Sequence, residues 1–263
     1  MIVAIIIIGL CLGSFVNALV WRLHEKKDWV KARSQCVNCN HELAALDLIP
    51  IVSWIFLKGK CRYCHKPISV QYPIVELTLA ILFLLSFVYW PVALNGWHIT
   101  VFVIWLMVLT GLIALAVYDL RWMLLPTKLI YSLLIFAVIM AVINIIGSPN
   151  HLNSLAGYLE GTIVGGGIFF LIFQISKGKW IGGGDVRLGF LLGLLASTAL
   201  RSFLLIFIAS LIGTIVSIIL MSASKLKKSS LIPFGPFLIA SIIIIQLAGT
   251  DIFQLYSKIF LGN

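Results

Sequence analysis

Charge is scarce in this chain of 263 residues. Lysine, arginine, aspartate and glutamate together make up 11% of it, while 61% is hydrophobic; soluble domains carry about 25% charged residues. That balance excludes an ordinary water-soluble domain and identifies a polytopic membrane protein. Acids are the scarcest class, nine against 19 lysines and arginines. In a soluble protein the resulting net charge of +10 would suggest a nucleic-acid partner. In a membrane protein loop cations report orientation instead, so no nucleic acid is expected. Membrane lipids are the expected partner, since juxtamembrane cations are each worth about 1 kcal/mol near an anionic surface. The first apolar run, Ile2 to Trp21, lacks the basic leading region and small-residue cleavage site of a removable signal peptide, and reads as a retained span. Strands are excluded as spanning elements, because a lone segment in lipid must satisfy its own backbone and therefore coils into a helix.

What is present is a series of apolar runs near the ~20 residues needed to cross a bilayer. After Ile2 to Trp21 come Pro73 to Trp90, Ile99 to Tyr118, Leu124 to Ile146, Leu155 to Ile175, Val186 to Leu200, Ser202 to Met221 and Leu231 to Ala248. The expected fold is all-α, with about eight transmembrane helices. The sixth run undershoots a full crossing unless Asp185 and its neighbours are drawn into the bilayer. With the amino terminus outside, 17 of the 19 lysines and arginines fall on the cytoplasmic side, among them Lys31, Lys225, Lys227 and Lys228, leaving only Arg201 and Lys258 outside. Gly9 and Gly13 form a small-residue pair suited to close helix contact, and Ser14 and Asn17 share one face. For Asn17, contact and chemistry both stay open.

Residues 22 to 71 are polar and basic, a soluble insert between spans. They hold Cys36-Val37-Asn38-Cys39 and Cys61-Arg62-Tyr63-Cys64. Two such knuckles in a reducing compartment suit a closed tetrahedral zinc site on Cys36, Cys39, Cys61 and Cys64, in preference to disulfides or a redox dithiol. The fifth cysteine, Cys11, reads as a small buried apolar residue. The division expected is thus 1–21 first transmembrane helix, 22–71 zinc-binding insert and 72–263 polytopic domain.

Two acids fall inside or at the ends of apolar runs: Asp119 after Val101 to Tyr118, and Asp185 between Gly182-Gly183-Gly184 and the sixth run. An intramembrane carboxylate costs roughly 2.5 to 3.5 kcal/mol on insertion scales and marks a functional site by default. An even number of crossings separates the two, which places them at one depth on the cytoplasmic side. A carboxylate pair can act as base on a water and acid on a carbonyl, the chemistry of an aspartyl protease. Other readings are an ion relay in a transporter or channel, a membrane scaffold with a zinc docking module, or plain interface charges. Against a transporter stand the absence of internal repeats and the position of both acids away from the midplane. Glu76, at the cytoplasmic start of the second span, reads as the partner of a basic residue of the insert.

Several motifs together resemble the type IV prepilin peptidases, membrane aspartyl proteases of the GxGD type. They are Gly13-Ser14-Phe15-Val16-Asn17, the four cysteines, Asp47-Leu48-Ile49-Pro50-Ile51, Gly59-Lys60-Cys61, Tyr72-Pro73-Ile74-Val75-Glu76, Asp119 with Leu125-Pro126, Gly182 to Asp185, and Pro233-Phe234-Gly235-Pro236-Phe237. The resemblance implies cleavage of prepilin or pseudopilin leaders at the cytoplasmic face of the bacterial inner membrane. It also implies methylation of the new amino terminus with S-adenosylmethionine. By position it makes Asp119 and Asp185 the catalytic pair and associates Gly59 and Lys60 with methylation. The chain departs from the family pattern at Thr127, where an acid usually follows the proline, at Arg187 in place of lysine, and at His24 where proline is frequent.

Overall fold

A computed structural model describes residues 1–28, 33–223 and 232–260, the side chains of 249–260 excepted. Lys31, Lys225, Lys227, Lys228, Leu231 and the side chain of Lys258 lie outside the described residues. The chain divides into two compact units, residues 1–90 and 91–263.

The first unit holds α1 (Ile2–His24), a 3₁₀ turn (Ala45–Leu48), the short helix α2 (Val52–Phe56) and α3 (Gln71–Val88). The small-residue face of α1 meets α3 backbone to backbone. A Cβ added at Gly9 would lie 2.6 Å from Ala80 Cα, and one at Gly13 would lie 2.5 Å from Glu76 Cα, so any larger residue would force the helices apart. This side of α1 is buried, through Gly9, Gly13, Val16, Asn17 and Val20. Cys11 points the other way and is exposed; the expectation of burial fails because Cys11 lies on the face opposite the one that meets α3.

The second unit holds α4 (Trp97–Trp122), α5 (Thr127–Gly147), α6 (His151–Ser176), α7 (Gly183–Ala196), α8 (Ala199–Ser222) and α9 (Gly235–Phe260). Local chemistry sets their ends. α4 stops at Met123, which adopts a left-handed conformation (φ 53°), and Pro126 immediately precedes α5. Proline holds the residue before it extended, so Leu124 and Leu125 form a link rather than the start of a span. The side chains of Asn150 and Thr198 accept the N–H groups of Asn153 and Arg201 and cap α6 and α8.

α4 and α7 form the interior with the described part of α9. Trp105, Leu109, Leu112, Leu115, Leu188, Leu191, Leu192 and Leu238 are all fully buried. α5, α6 and α8 turn large apolar side chains outward, among them Ile135, Ile163, Leu171, Phe203 and Ile218, the arrangement lipid requires. Glycines 161 and 165 of α6 and 189 and 193 of α7 meet at close range, a Cβ at Gly165 falling 2.6 Å from Gly193 Cα.

Six helices among the described residues, α1, α3, α4, α5, α6 and α8, are long and apolar enough to cross a membrane. The protein is a multi-pass, all-helical membrane protein. α7 and α9 supply the other two expected apolar segments. α7 has only 14 residues, about 21 Å at 1.5 Å per residue, and it begins at Gly183, so Asp185 is drawn into its first turn.

Candidate active site

Asp119 occupies the last turn of α4, the most buried helix of its unit, and is itself 5% exposed. The sequence places it at the end of the third span, and α4 carries it in its last turn, running on to Trp122 because nothing before Met123 breaks it. Its Oδ2 accepts the N–H of Gly235, the first residue of α9, at 3.1 Å. Gly235 leaves room for this approach, since a Cβ there would sit 2.5 Å from that oxygen.

Asp185 lies in the first turn of α7, its Oδ2 turned back to the helix start, where a Cβ added at Gly182 would lie 3.4 Å away. Both carboxylates therefore sit at helix N-termini, where unpaired N–H groups and the helix dipole favour negative charge. Gly184, next to Asp185, and Gly235, which holds Asp119, pack on the same leucine, so the structure brings to one place the two acids that the sequence separates by 66 positions. Leu125 packs between their supports: a Cβ at Gly184 would meet its Cβ at 3.1 Å, and one at Gly235 its Cδ2 at 3.6 Å. At the edge, Arg187 Nη1 donates to Thr127 Oγ1 at 2.8 Å, so two of the three departures from the family pattern are partners.

In the first unit the sulfur atoms of Cys36, Cys39, Cys61 and Cys64 all lie within 4.8 Å of one another, and all are free thiols. Cys36 and Cys64 are 3.9 Å apart, close to the ~3.8 Å edge of a tetrahedron with metal–sulfur bonds of about 2.3 Å. The donor set thus fits a metal ion.

The two knuckles have one backbone design at an offset of 25 positions. Cys36 N–H binds His41 O and Asn40 N–H binds Cys36 O; Cys61 N–H binds Lys66 O and His65 N–H binds Cys61 O, all at 2.9 to 3.0 Å. Asn40 and His65 both take φ 56°. Burial alone pushes the Cys36 thiol up, but hydrogen bonds from the Cys39 and Asn38 backbone and from the Cys39 and Cys61 thiols outweigh it and bring it to about 7.

Asp47 braces the insert. Its carboxylate accepts from Arg62 Nε at 2.6 Å, from Tyr63 Oη at 3.2 Å and from Ala44 N–H at 3.2 Å. Burial pushes this carboxyl up, yet the Arg62 bond with the other two holds it below the usual range.

Gly59 (φ 68°) lies over Trp54, whose indole would be 3.0 Å from an added Cβ, and Gly59 N–H donates to Trp54 O at 2.8 Å. Lys60 follows on the surface.

Among the described residues, Glu76 meets no cation of the insert. It is 6% exposed, and its Oε2 accepts the N–H of Ile51 at 2.7 Å. Ile51 is a β-branched residue held at φ 60°, a conformation that costs on the order of 1 to 3 kcal/mol and persists only where the surroundings enforce it. The partner is a backbone group twenty-five residues away, which composition does not reveal.

Residues 7–90 match the Bacterial Peptidase A24 N-terminal domain and residues 106–218 the Type IV leader peptidase family. A prepilin leader peptidase/N-methyltransferase of Bacillus subtilis (strain 168) is 33% identical over 266 residues, covering the whole of both chains. The chain belongs to the prepilin leader peptidase family. A relative of the same description from Aeromonas hydrophila is 31% identical over 98% of this chain and 94% of its own. One from Stutzerimonas stutzeri is 28% identical over 89% of this chain and 86% of its own. No solved structure matches. The first matched domain of this leader peptidase family member ends where its first compact unit ends, at residue 90. Membership makes the chain an enzyme and sets the ion-relay and scaffold readings aside.

The sequence reading missed the part of Pro233 to Phe237. Gly235 delivers the N–H that fixes Asp119, and the only sequence signal was a Pro-Phe-Gly-Pro run opening an apolar segment.

Proposed function

We propose that the protein is an aspartyl endopeptidase that removes the leader of prepilins or pseudopilins at the cytoplasmic face of the bacterial inner membrane, and that it methylates the amino terminus so exposed. The observation that carries the cleavage reading is the convergence of Asp119 and Asp185, each at a helix N-terminus, their supports packed on the same leucine. One carboxylate takes a proton from a water as its oxygen bonds to the scissile carbonyl carbon. The other gives a proton to the carbonyl oxygen. Collapse breaks the C–N bond, the nitrogen takes the proton back through the dyad, and a leader acid and a new amino terminus leave.

Zinc suits the four-thiol cluster by ligand type, closure and spacing. It would be structural, with no open position for water. Exposed Lys60 beside buried Gly59 is the pair that would hold the carboxylate of S-adenosylmethionine, through a charge-assisted hydrogen bond. That group supplies an electrophilic methyl when bound. The cytoplasmic placement rests on the one-sided distribution of lysine and arginine.

Co-expression with a candidate prepilin, followed by the mass of its amino terminus, tests both activities together. A substrate left uncut by inserted enzyme would end the proposal.

A further inference from the structure

Two of the motifs that family membership leaves without a role, Gly13 to Asn17 and Tyr72 to Glu76, meet across α1 and α3. The antiparallel register places Gly13 against Glu76 and Asn17 one turn on, against Tyr72. Asn17 Nδ2 donates to Tyr72 O at 3.1 Å and to Gly13 O at 3.3 Å. Both of those partners are acceptors, so the amide orientation is fixed and its Oδ1 is the atom left over. That oxygen is buried, in a residue 4% exposed, and no described residue donates to it.

Side chains lean toward the N-terminus of their helix, which carries the Glu76 carboxylate toward Tyr72 and the level of Asn17. Glu76 is bonded to the Ile51 N–H and the Ser14 hydroxyl, both neutral, and to no cation among the described residues. Ser14 and Tyr72, at the rim, are only half-buried. A buried carboxylate one helical turn along α3 from the level of an unpartnered carbonyl oxygen calls for a positively charged group with several N–H donors.

We propose that Asn17 Oδ1 and Glu76, with Ser14 at the edge, receive the α-ammonium of the cleaved substrate. Resting on the methylation reading above, the proposal names the group that this part of the enzyme recognises. An α-ammonium brings three donors and one positive charge, which matches the acceptor set. One of its protons passes to the Glu76 carboxylate, leaving a neutral amine whose lone pair is free to take a methyl from a sulfonium donor, the carbon–sulfur bond breaking with its electron pair kept by sulfur. Asn17 and Ser14 orient the nitrogen and take no part in the proton transfer.

The test uses the full zinc-loaded chain in detergent, titrated with an apolar helical peptide carrying a free amino terminus and with its N-acetylated twin. Wild type is expected to bind the free amine more tightly, on the order of 10-fold or more, as hydrogen bonds to a charged group imply. Glu76→Gln and Asn17→Ala should each bring the two peptides level, and Glu76→Asp should restore part of the difference. Thermal melting and metal content report whether each variant is folded.

Equal binding of the twins by wild type overturns the proposal. A preference that survives in Glu76→Gln also overturns it, and would mean that Glu76 is protonated and closes the cluster by donating to Asn17 Oδ1. Mass measurement of co-expressed substrate separates this from the methylation reading. Cut but unmethylated product from wild type, with the amine preference intact, defeats that reading and leaves the site standing. Normal methylation by Glu76→Gln defeats the site and leaves the reading standing.

Discussion

Gly235→Ala isolates the geometry of the proposed catalytic pair from its chemistry. The backbone at Gly235 is not in the left-handed region, and alanine is the best helix former, so the change should leave α9 folded. The added methyl would lie 2.5 Å from Asp119 Oδ2, where ordinary contact begins at 3.4 Å. The difference, 3.4 − 2.5, obliges the carboxylate to retreat by about 0.9 Å, and it stretches the 3.1 Å bond from the Gly235 N–H as it goes. A displacement of about 1 Å in a reacting group costs on the order of 10²-fold in rate. Single-turnover cleavage of a co-reconstituted prepilin should therefore slow about 100-fold. Methylation of a pre-cut substrate and thermal stability should stay near wild type. Gly184→Ala is the control, because the atom it approaches, 3.1 Å away, belongs to the Leu125 side chain rather than to an acid. Cleavage by Gly235→Ala within a factor of three of wild type, in correctly inserted protein, would show that Asp119 is not held where the reaction needs it.

Asp119→Asn and Asp185→Asn should each lower cleavage by about 10²- to 10⁴-fold. The double variant should be no slower than the worse single one, as expected for groups that act as a unit; additive losses in a cleavage assay would separate them. Purified protein should contain one zinc per chain by metal analysis, and Cys61→Ser should lose it, whereas metal-free protein with two disulfides would end the zinc assignment. Lys60→Ala should impair methylation and spare cleavage, read from the mass of the substrate's amino terminus; equal loss of both activities would point to a misfolded insert.

Apolar runs carried most of the fold, because in lipid a helix is the only way for a lone segment to satisfy its backbone. The ends of those runs were less legible. Leu124 and Leu125 are as apolar as any span residue, yet Met123 and Pro126 exclude them from a helix. The four cysteines were readable, since metal ligands are fixed by residue type and spacing. Asp119 and Asp185 were readable because a carboxylate in an apolar run is rare enough to announce itself. Their supports were not: a glycine N–H, a leucine between two glycines and a threonine bound to Arg187 have no composition that marks them. Glu76 misled for the same reason, since charge suggests a charged partner and the structure supplies a backbone group.

The bond between Gly235 and Asp119 joins residues 116 positions apart. At roughly 5 to 20 residues per second on the ribosome, Gly235 is made some 6 to 23 s after Asp119. Over the last 50 positions of that interval, about 2.5 to 10 s, the nascent chain carries both acids but not the helix start that seats one of them. If the pair is the hydrolytic centre proposed above, it is seated only once the start of α9 has been made, so a chain cut short of Gly235 would be silent toward its neighbours.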